Sequence, residues 1–211
     1  MGKEGRALRA AAASAGVRDP RVLAAVEAVE RSQFVPTALR GQATVDAALP
    51  IPDDQTTSQP SLIALMVEAL ALTSSSRVLE IGTGLGYEAA VLSHLCAEVV
   101  TVEIHPGLAA DASRRLAAHG ATNVRVLVGD GRSGAGDFAP FDAVVVAAQT
   151  ESVAPAWVAQ LAEGGLIVVP LGDRSVQRCV VLERRDGVAR ERADLGLVRF
   201  VPLTGSRPDA G

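Results

Sequence analysis

The stretch Val78-Leu79-Glu80-Ile81-Gly82-Thr83-Gly84-Leu85-Gly86-Tyr87 decides the fold. An apolar run ends in three glycines at alternate positions, which is typical of a strand that turns tightly into a helix. The dinucleotide fingerprint GxGxxG needs its third glycine where Tyr87 stands, and no Gly-Lys-Ser/Thr follows as in a P-loop. The segment therefore favours neither a dinucleotide nor a nucleoside triphosphate.

The GxGxG spacing instead suits S-adenosylmethionine, a cofactor that has no phosphate. Its methionine carboxylate can bind to the backbone amides at the start of a helix. We therefore predict that Gly82, Gly84 and Gly86 bind this cofactor. A plain tight turn without a ligand is the alternative that the glycines alone leave open.

The segments after residue 76 alternate between strand and helix patterns. The strands are near-continuous apolar runs, which indicates a parallel sheet covered on both faces. Right-handed crossovers then give an α/β fold with a doubly wound, Rossmann-like sheet. Strands are predicted at 77–81, 98–102, 123–128, 141–147 and 166–170, and helices at 86–95, 106–119 and 153–162. Two further strands, 178–184 and 197–202, are predicted to form an antiparallel pair at one edge.

The first third of the chain is predicted to be helical. Helices are expected over 3–15, after the capping pair Asp19-Pro20, and from Pro60 onward, with a long loop at 37–57. We predict one domain over residues 1–211. It comprises N-terminal helices and an active-site loop (1–59), a methyltransferase core (60–204) and a frayed tail (205–211).

Composition narrows the classes of partner. The 211 residues carry a net charge of −4 and only 3% aromatic residues, which argues against nucleic acid. No apolar run reaches the length of a membrane span. Two cysteines without a CxxC pair suit a reducing compartment, and three histidines lack metal-ligand spacing. We therefore expect a cytoplasmic protein that binds no nucleic acid, membrane or metal. A monomer is also expected, although the composition does not determine the oligomeric state.

Three acidic residues follow or end successive predicted strands. Glu103 lies 21 residues after Gly82, where a carboxylate can accept both ribose hydroxyls. Asp130, within Gly129-Asp130-Gly131, is placed to accept the adenine amino group. Glu80 is predicted to orient the glycine loop or to meet the methionine ammonium. Because the carboxyl ends of parallel strands form one edge, these three acids are predicted to surround the cofactor.

A second informative segment precedes the third helix. Residues 55–59, Gln-Thr-Thr-Ser-Gln, form a run of five polar side chains ahead of Pro60 and an apolar helix. A helix cap requires one such residue, so the excess predicts a polar cluster that faces a ligand.

These segments occur together with several shorter motifs. The matching pieces are Phe34-Val35-Pro36, Leu49-Pro50-Ile51, Gln55-Thr56-Thr57-Ser58-Gln59-Pro60, residues 78–87, Gly129-Asp130-Gly131, Pro140-Phe141-Asp142, Gln160-Leu161 with Gly164-Gly165, Pro170-Leu171-Gly172 and Phe200-Val201-Pro202-Leu203. In this order they resemble the protein-L-isoaspartate O-methyltransferase family over roughly residues 20–204.

The resemblance implies transfer of a methyl group from S-adenosylmethionine to the free α-carboxyl of an L-isoaspartyl residue in a damaged peptide or protein. The ester then collapses to a succinimide, and hydrolysis returns some normal aspartate, so the enzyme initiates repair. The resemblance also implies that Ser58 is the active-site serine. It places cofactor contacts at Thr56, Thr57, Ser58, Gln59, Gly84, Glu103, Asp130, Gly131 and Thr204.

Two loops depart from the family pattern. Pro52-Asp53-Asp54 stands where the family usually has a Gly-His-Gly-like stretch, and residues 147–151 replace an Ala-Ala-Pro-like loop. Both are predicted to border the substrate. They motivate an alternative in which the enzyme esterifies one aspartate of a dedicated biosynthetic peptide. An NAD-linked oxidoreductase and a non-catalytic cofactor-binding protein are the rival classes.

Four other notable side chains are given structural interpretations. Trp157, Tyr87 and Met66 are predicted to be packing residues. His105, beside Glu103, is expected to be solvated, with a position beside the adenosine as the alternative.

Overall fold

The computed structural model describes residues 2–205, so all of the predicted frayed tail except Gly205 lies outside the described residues. Three helices form where the sequence predicts them in the first third of the chain. They are α1 (Lys3–Ala15), α2 (Pro20–Ala28) and α3 (Pro60–Ala69). The carboxylate of Asp19 caps α2 by accepting a 2.8 Å hydrogen bond from the Arg21 amide.

Helix α1 packs closely on α2. Leu8 and Ala12 are fully buried, and Arg9 bonds to the carboxylate of Glu27 at 2.8 Å. At Gly5 the two backbones approach so closely that a β-carbon would lie 2.1 Å from the Glu27 carbonyl oxygen. The absence of a side chain at this position therefore permits the helix crossing.

We expect Gly5→Ala to destabilise the fold by about 1–3 kcal/mol, since the added methyl group overpacks a backbone contact. Urea unfolding followed by circular dichroism measures this loss. Gly107→Ala is the matched control, because a β-carbon at Gly107 meets no atom within 4 Å. Equal stability of the two variants would contradict the packing argument.

The predicted long loop at 37–57 is more ordered than expected. It contains a 3₁₀ helix (Thr37–Gln42) and a small antiparallel hairpin of β1 (Leu49–Ile51) and β2 (Gln55–Thr57). Asp53 and Asp54 form its turn with φ of 61° and 55°, a left-handed conformation that aspartate tolerates better than most residues. Both aspartates are exposed.

Seven strands form the main sheet. The strands in chain order are β3 (Arg77–Ile81), β4 (Glu98–Glu103), β5 (Val124–Val128), β6 (Phe141–Val146), β7 (Leu161–Gly172), β8 (Gln177–Arg185) and β9 (Val188–Val198). Their order across the sheet is β5-β4-β3-β6-β7-β8-β9, and the first five in chain order are parallel, as predicted. After β3 the chain adds β4 and β5 on one side of that strand, and it then returns to add β6 on the other side. At such a reversal of strand order, a ligand crevice opens at the carboxyl ends of the two central strands, β3 and β6.

Three further helices cover the sheet. They are α4 (Tyr87–Ser93), α5 (Pro106–His119) and α6 (Pro155–Gln160), so the predicted helix at 153–162 is shorter than expected. The two faces bury separate aliphatic clusters. Trp157, Tyr87 and Met66 are all buried, which confirms their prediction as packing residues. Among the helices of residues 2–205, none has the length and apolar character needed to cross a membrane.

The antiparallel edge forms, but its last strand was predicted wrongly at 197–202. The chain turns at Asp186-Gly187 and β9 follows at once, from 188 to 198. The pattern concealed this strand because charged residues at 190–192 and 194 interrupt its apolar positions and most of it is exposed. Residues 199–204 leave the sheet and return toward the ends of β3 and β6.

A histidine pair joins the ends of α4 and α5. The Nε2 atoms of His94 and His119 are 3.4 Å apart, and the Phe34 ring packs edge-on against His119. Burial and the neighbouring His94 lower the pKa of His119, and Glu30 opposes this shift. The folded protein therefore favours the neutral form of His119.

We expect stability to fall as the pH drops below ~6.5, because the unfolded chain then takes up a proton that folded His119 resists. Urea midpoints at about pH 7.5 and 5.5 measure the fall, and His119→Gln should reduce it. An equal fall in the variant would show that other groups cause it.

Candidate active site

The glycine turn at the end of β3 depends on backbone conformations that favour glycine. Gly82, Gly84 and Gly86 have φ of 93°, 54° and 90°. The Gly82 amide donates to the Val102 carbonyl at 2.9 Å, and a β-carbon on Gly86 would lie 3.2 Å from the Leu116 side chain. The turn therefore lies close to the adjacent strand and helix.

Glu103 fixes this turn from the neighbouring strand. Its Oε2 accepts a 2.8 Å hydrogen bond from the Gly84 amide, and its Oε1 accepts one of 3.0 Å from the His105 amide. The residue is only 5% exposed. One carboxylate thus joins the end of β3 to the end of β4, and each of its oxygens retains a lone pair for a ligand.

Two adjoining cavities open on the turn. They share Thr56, Gly82, Gly84 and Ala147. We call the first the outer cavity; its other predicted residues are Glu103, Gly131 and Thr204. The second, the inner cavity, is lined by Thr57, Ser58, Ile63, Thr83, Leu85, Tyr87 and Glu88. Eight predicted site residues therefore surround one continuous region.

The other four predicted residues lie beside the cavities without lining them. The Gln59 amide donates to Asp46 Oδ2 and Ser61 Oγ, each at 2.9 Å. Asp130 accepts a 2.9 Å bond from the Arg132 amide, and Gly86 packs on α5. Glu80 is fully buried next to the turn. Their roles as cofactor contacts stay predictions.

A buried arginine positions Ser58. The Arg31 guanidinium is fully buried and donates to the carbonyls of Val45, Ala47 and Ser58 at 2.9, 2.8 and 3.0 Å. Desolvation lowers its pKa, although an arginine keeps its charge at neutral pH. No sequence signal identified Arg31, since its carbonyl partners lie 14 to 27 residues further along the chain.

The opposite wall is built by two chain segments that meet after β6. The Gln149 amide donates to the Val201 carbonyl at 2.8 Å, and the Leu203 amide donates back to the Gln149 carbonyl at 2.7 Å. Residues 201–204, which we call the C-terminal segment, therefore line the outer cavity. In the unusual loop at 147–151, Ala147 and Ala148 line the cavity, while the Gln149 side chain bonds to the Gly172 carbonyl.

Sequence reasoning misjudged His105 and missed Glu88. His105 is half-buried and lines the outer cavity with its Nε2 shielded from solvent, so the ring is less solvated than expected. His105 is the N-cap residue of α5, which begins at Pro106. Glu88 resembled an ordinary acid in the first turn of a helix. It is instead buried, and burial raises its pKa to about 8.

The loop that carries Gly131 is held by an aromatic residue. Trp157 Nε1 donates a 2.7 Å hydrogen bond to the Gly131 carbonyl. A β-carbon on Gly131 would lie 2.5 Å from the Ile81 side chain, so this loop lies directly against the end of β3.

The site suits an elongated ligand that has hydroxyls at one end and charges at the other. A crevice at this switch point, bounded by a GxGxG turn and by the acid that ends the next strand, is how S-adenosylmethionine-dependent methyltransferases hold their cofactor. We therefore place the chain in that class, as predicted. A family model described as protein-L-isoaspartate(D-aspartate) O-methyltransferase (PCMT) matches residues 5–208, and the chain belongs to this family.

Curated relatives agree over nearly the whole chain. A protein-L-isoaspartate O-methyltransferase 1 of Anaeromyxobacter sp. (strain Fw109-5) is 50% identical over 204 residues, covering 94% of this chain and 95% of the relative. A protein-L-isoaspartate O-methyltransferase of Methanoregula boonei is 48% identical over 193 residues, covering 92% and 88%. These relatives and the family model confirm the family predicted from the sequence.

Solved structures confirm the predicted fold class. A protein-L-isoaspartate O-methyltransferase superposes with a TM-score of 0.83 at 31% identity, covering 95% of this chain and 66% of that chain. A Plasmodium falciparum structure described as a PCMT, in complex with S-adenosyl-L-homocysteine, gives a TM-score of 0.82 at 18% identity. It covers 97% of this chain and 99% of that chain, and at this identity it supports the fold alone.

We expect Glu103→Ala to weaken binding of S-adenosylhomocysteine by tenfold or more. The variant loses the acceptor of two amide bonds, and a bond to a charged group contributes about 1.5–3 kcal/mol. Isothermal titration calorimetry measures the change. Glu98→Ala, at the other end of β4 beside Arg77, is the control and should bind normally. Equal affinities would refute the bracing role of Glu103.

Proposed function

We propose that the chain transfers a methyl group from S-adenosylmethionine to the free α-carboxyl of L-isoaspartyl residues in damaged peptides and proteins. The observation that carries this proposal is the inner cavity, where Ser58 and the glycine turn line the same space. Membership of the PCMT family supports the reaction and the cofactor. The names of relatives at 48–50% identity favour the isoaspartyl substrate over the dedicated-peptide alternative.

Cofactor binding is proposed for the residues at the ends of the strands. In this assignment Glu103 accepts hydrogen bonds from the ribose, Asp130 lies at the adenine end, and the glycine turn holds the methionine end. The complete proposed set is Thr56, Thr57, Gln59, Glu80, Gly82, Gly84, Gly86, Glu103, Asp130, Gly131 and Thr204. When bound, the cofactor supplies an electrophilic methyl group on a sulfonium.

The substrate needs no general base from the protein. Its carboxylate is ionised at neutral pH, since the pKa of such a group is about 4, and it is already a nucleophile. The protein has to align the carboxylate with the methyl group and remove water, and alignment alone lowers a barrier by roughly 7–11 kcal/mol. Ser58 is proposed to donate a hydrogen bond that fixes the carboxylate.

The N-terminal part of the chain is proposed to act in one unit with the sheet. Arg31 supports this, because it bonds to the carbonyl of Ser58 on the loop between the two parts. We further propose a monomer in the cytoplasm that does not bind nucleic acid. The net charge of −4 supports the absence of nucleic-acid binding, and the buried free thiols of Cys96 and Cys179 suit a reducing compartment.

We expect Ser58→Ala to lower kcat about 10- to 100-fold, the value of one hydrogen bond to a charged group. Its affinity for S-adenosylhomocysteine should change little. Transfer of a labelled methyl group and calorimetry measure the two quantities, with the exposed Ser74→Ala as control. Wild-type turnover in Ser58→Ala would refute the role of Ser58.

We expect methyl transfer to an isoaspartyl peptide and little to the same peptide containing normal aspartate. The two peptides differ only in which carboxyl group is free, so the ratio of kcat/KM values isolates that recognition. A ratio near one would contradict repair and favour the dedicated-peptide alternative.

A further inference from the structure

Two buried carboxyl groups lie next to each other below the inner cavity. Glu80 on β3 is fully buried, and Glu88 on α4 is only 5% exposed. Neither oxygen of Glu80 has a hydrogen-bond partner of good geometry among residues 2–205, and the same holds for Oε1 of Glu88. The Thr101 hydroxyl, which shares a 2.6 Å hydrogen bond with Thr83, is close enough to Glu80 to oppose part of the rise in its pKa. Unsatisfied buried carboxyl oxygens are costly, so the arrangement calls for a functional explanation.

The surroundings of this pair are acidic. Glu88 and Glu103 both act on Glu80, and on the far side the charge of Glu88 acts on the thiol of Cys179 in β8. Arg31 contacts the neighbouring Tyr87, with its guanidinium 6.0 Å from the ring centroid. Burial first, and then this mutual repulsion, raise the pKa of Glu80, and burial raises that of Glu88 to about 8. At neutral pH the pair therefore retains a proton.

Glu88 differs from Glu80 because it lines the inner cavity, together with Ser58. Under the proposed function, the adenosine end of the cofactor occupies the outer cavity near Glu103 and Gly131. The amino-acid end, with its ammonium and the adjoining sulfonium, then occupies the inner cavity. A cation is the ligand that an unpartnered carboxyl there can stabilise.

We propose that the Glu88 carboxylate is the counterion for the cationic end of S-adenosylmethionine, and that binding the cofactor expels the proton held by the Glu80–Glu88 pair into solvent. This inference rests on the proposed function for the orientation of the cofactor. In this step the O–H bond of one carboxyl group breaks, water or buffer takes up the proton, and the carboxylate that remains pairs with the ammonium or sulfonium, with no bond of the cofactor broken. Loss of the sulfonium charge on methyl transfer then favours return of the proton.

Calorimetry of the wild-type protein in two buffers with different ionisation enthalpies tests the proposal. At about pH 7, close to one proton should be released for each S-adenosylmethionine bound. Below pH ~8, the affinity for S-adenosylmethionine should increase about tenfold for each unit by which the pH is raised. In Glu88→Gln the release should fall sharply and the pH dependence flatten. Glu98→Gln, an acid that pairs with Arg77, should behave as wild type.

Titration with S-adenosylhomocysteine distinguishes the two cations. Equal proton release would assign the ammonium as the partner of Glu88, and release only with the sulfonium form would assign the sulfonium. Absence of proton release, or its persistence in a folded Glu88→Gln, would overturn the proposal. The test is separate from the methylation assay, because proton-linked binding can hold in a protein that fails to methylate isoaspartyl peptides, and the reverse.

Discussion

The carboxylate of Glu103 is the interaction on which the site depends. It accepts the amides of Gly84 and His105 and so joins the glycine turn to the start of α5. Because β3 lies where the strand order reverses, the turn that Glu103 holds forms one side of the crevice, and the C-terminal segment forms another. A carboxylate also suits both tasks there, since it can hold two amides and still accept from ligand hydroxyls.

The two sides of the crevice come from different parts of the chain. The glycine turn and Glu103 belong to the sheet. Ser58 lies on the loop before α3, and its backbone carbonyl accepts a hydrogen bond from Arg31. A buried guanidinium needs hydrogen-bond acceptors, and three carbonyls accept from the two terminal nitrogens of Arg31, while its Nε has no partner among residues 2–205. Because the buried guanidinium needs the Ser58 carbonyl as an acceptor, this hydrogen bond also positions Ser58, the residue proposed to orient the substrate.

The sequence predicted what local patterns encode. Apolar runs located the five parallel strands, and the glycine spacing located the turn and its cofactor class. The sequence did not predict β9, where charged residues at 190–192 and 194 interrupt the apolar positions. It also did not predict the hairpin β1–β2, whose strands have three residues each. The sequence also did not predict the positions of three polar side chains in the site, those of Arg31, His105 and Glu88. Burial of a polar side chain depends on contacts with residues distant in sequence. The roles of the predicted site residues await experiment.

The outer edge of β9 has a consequence for behaviour at high concentration. Register shifts interrupt its pairing with β8 at two places, and Arg178 bonds to Glu191 and Asp194 across the strands. Bulges and charges on an edge strand discourage the addition of a foreign strand, which is how open sheets begin to aggregate. A protein with so aliphatic an interior thereby presents a border that resists fibrous self-assembly.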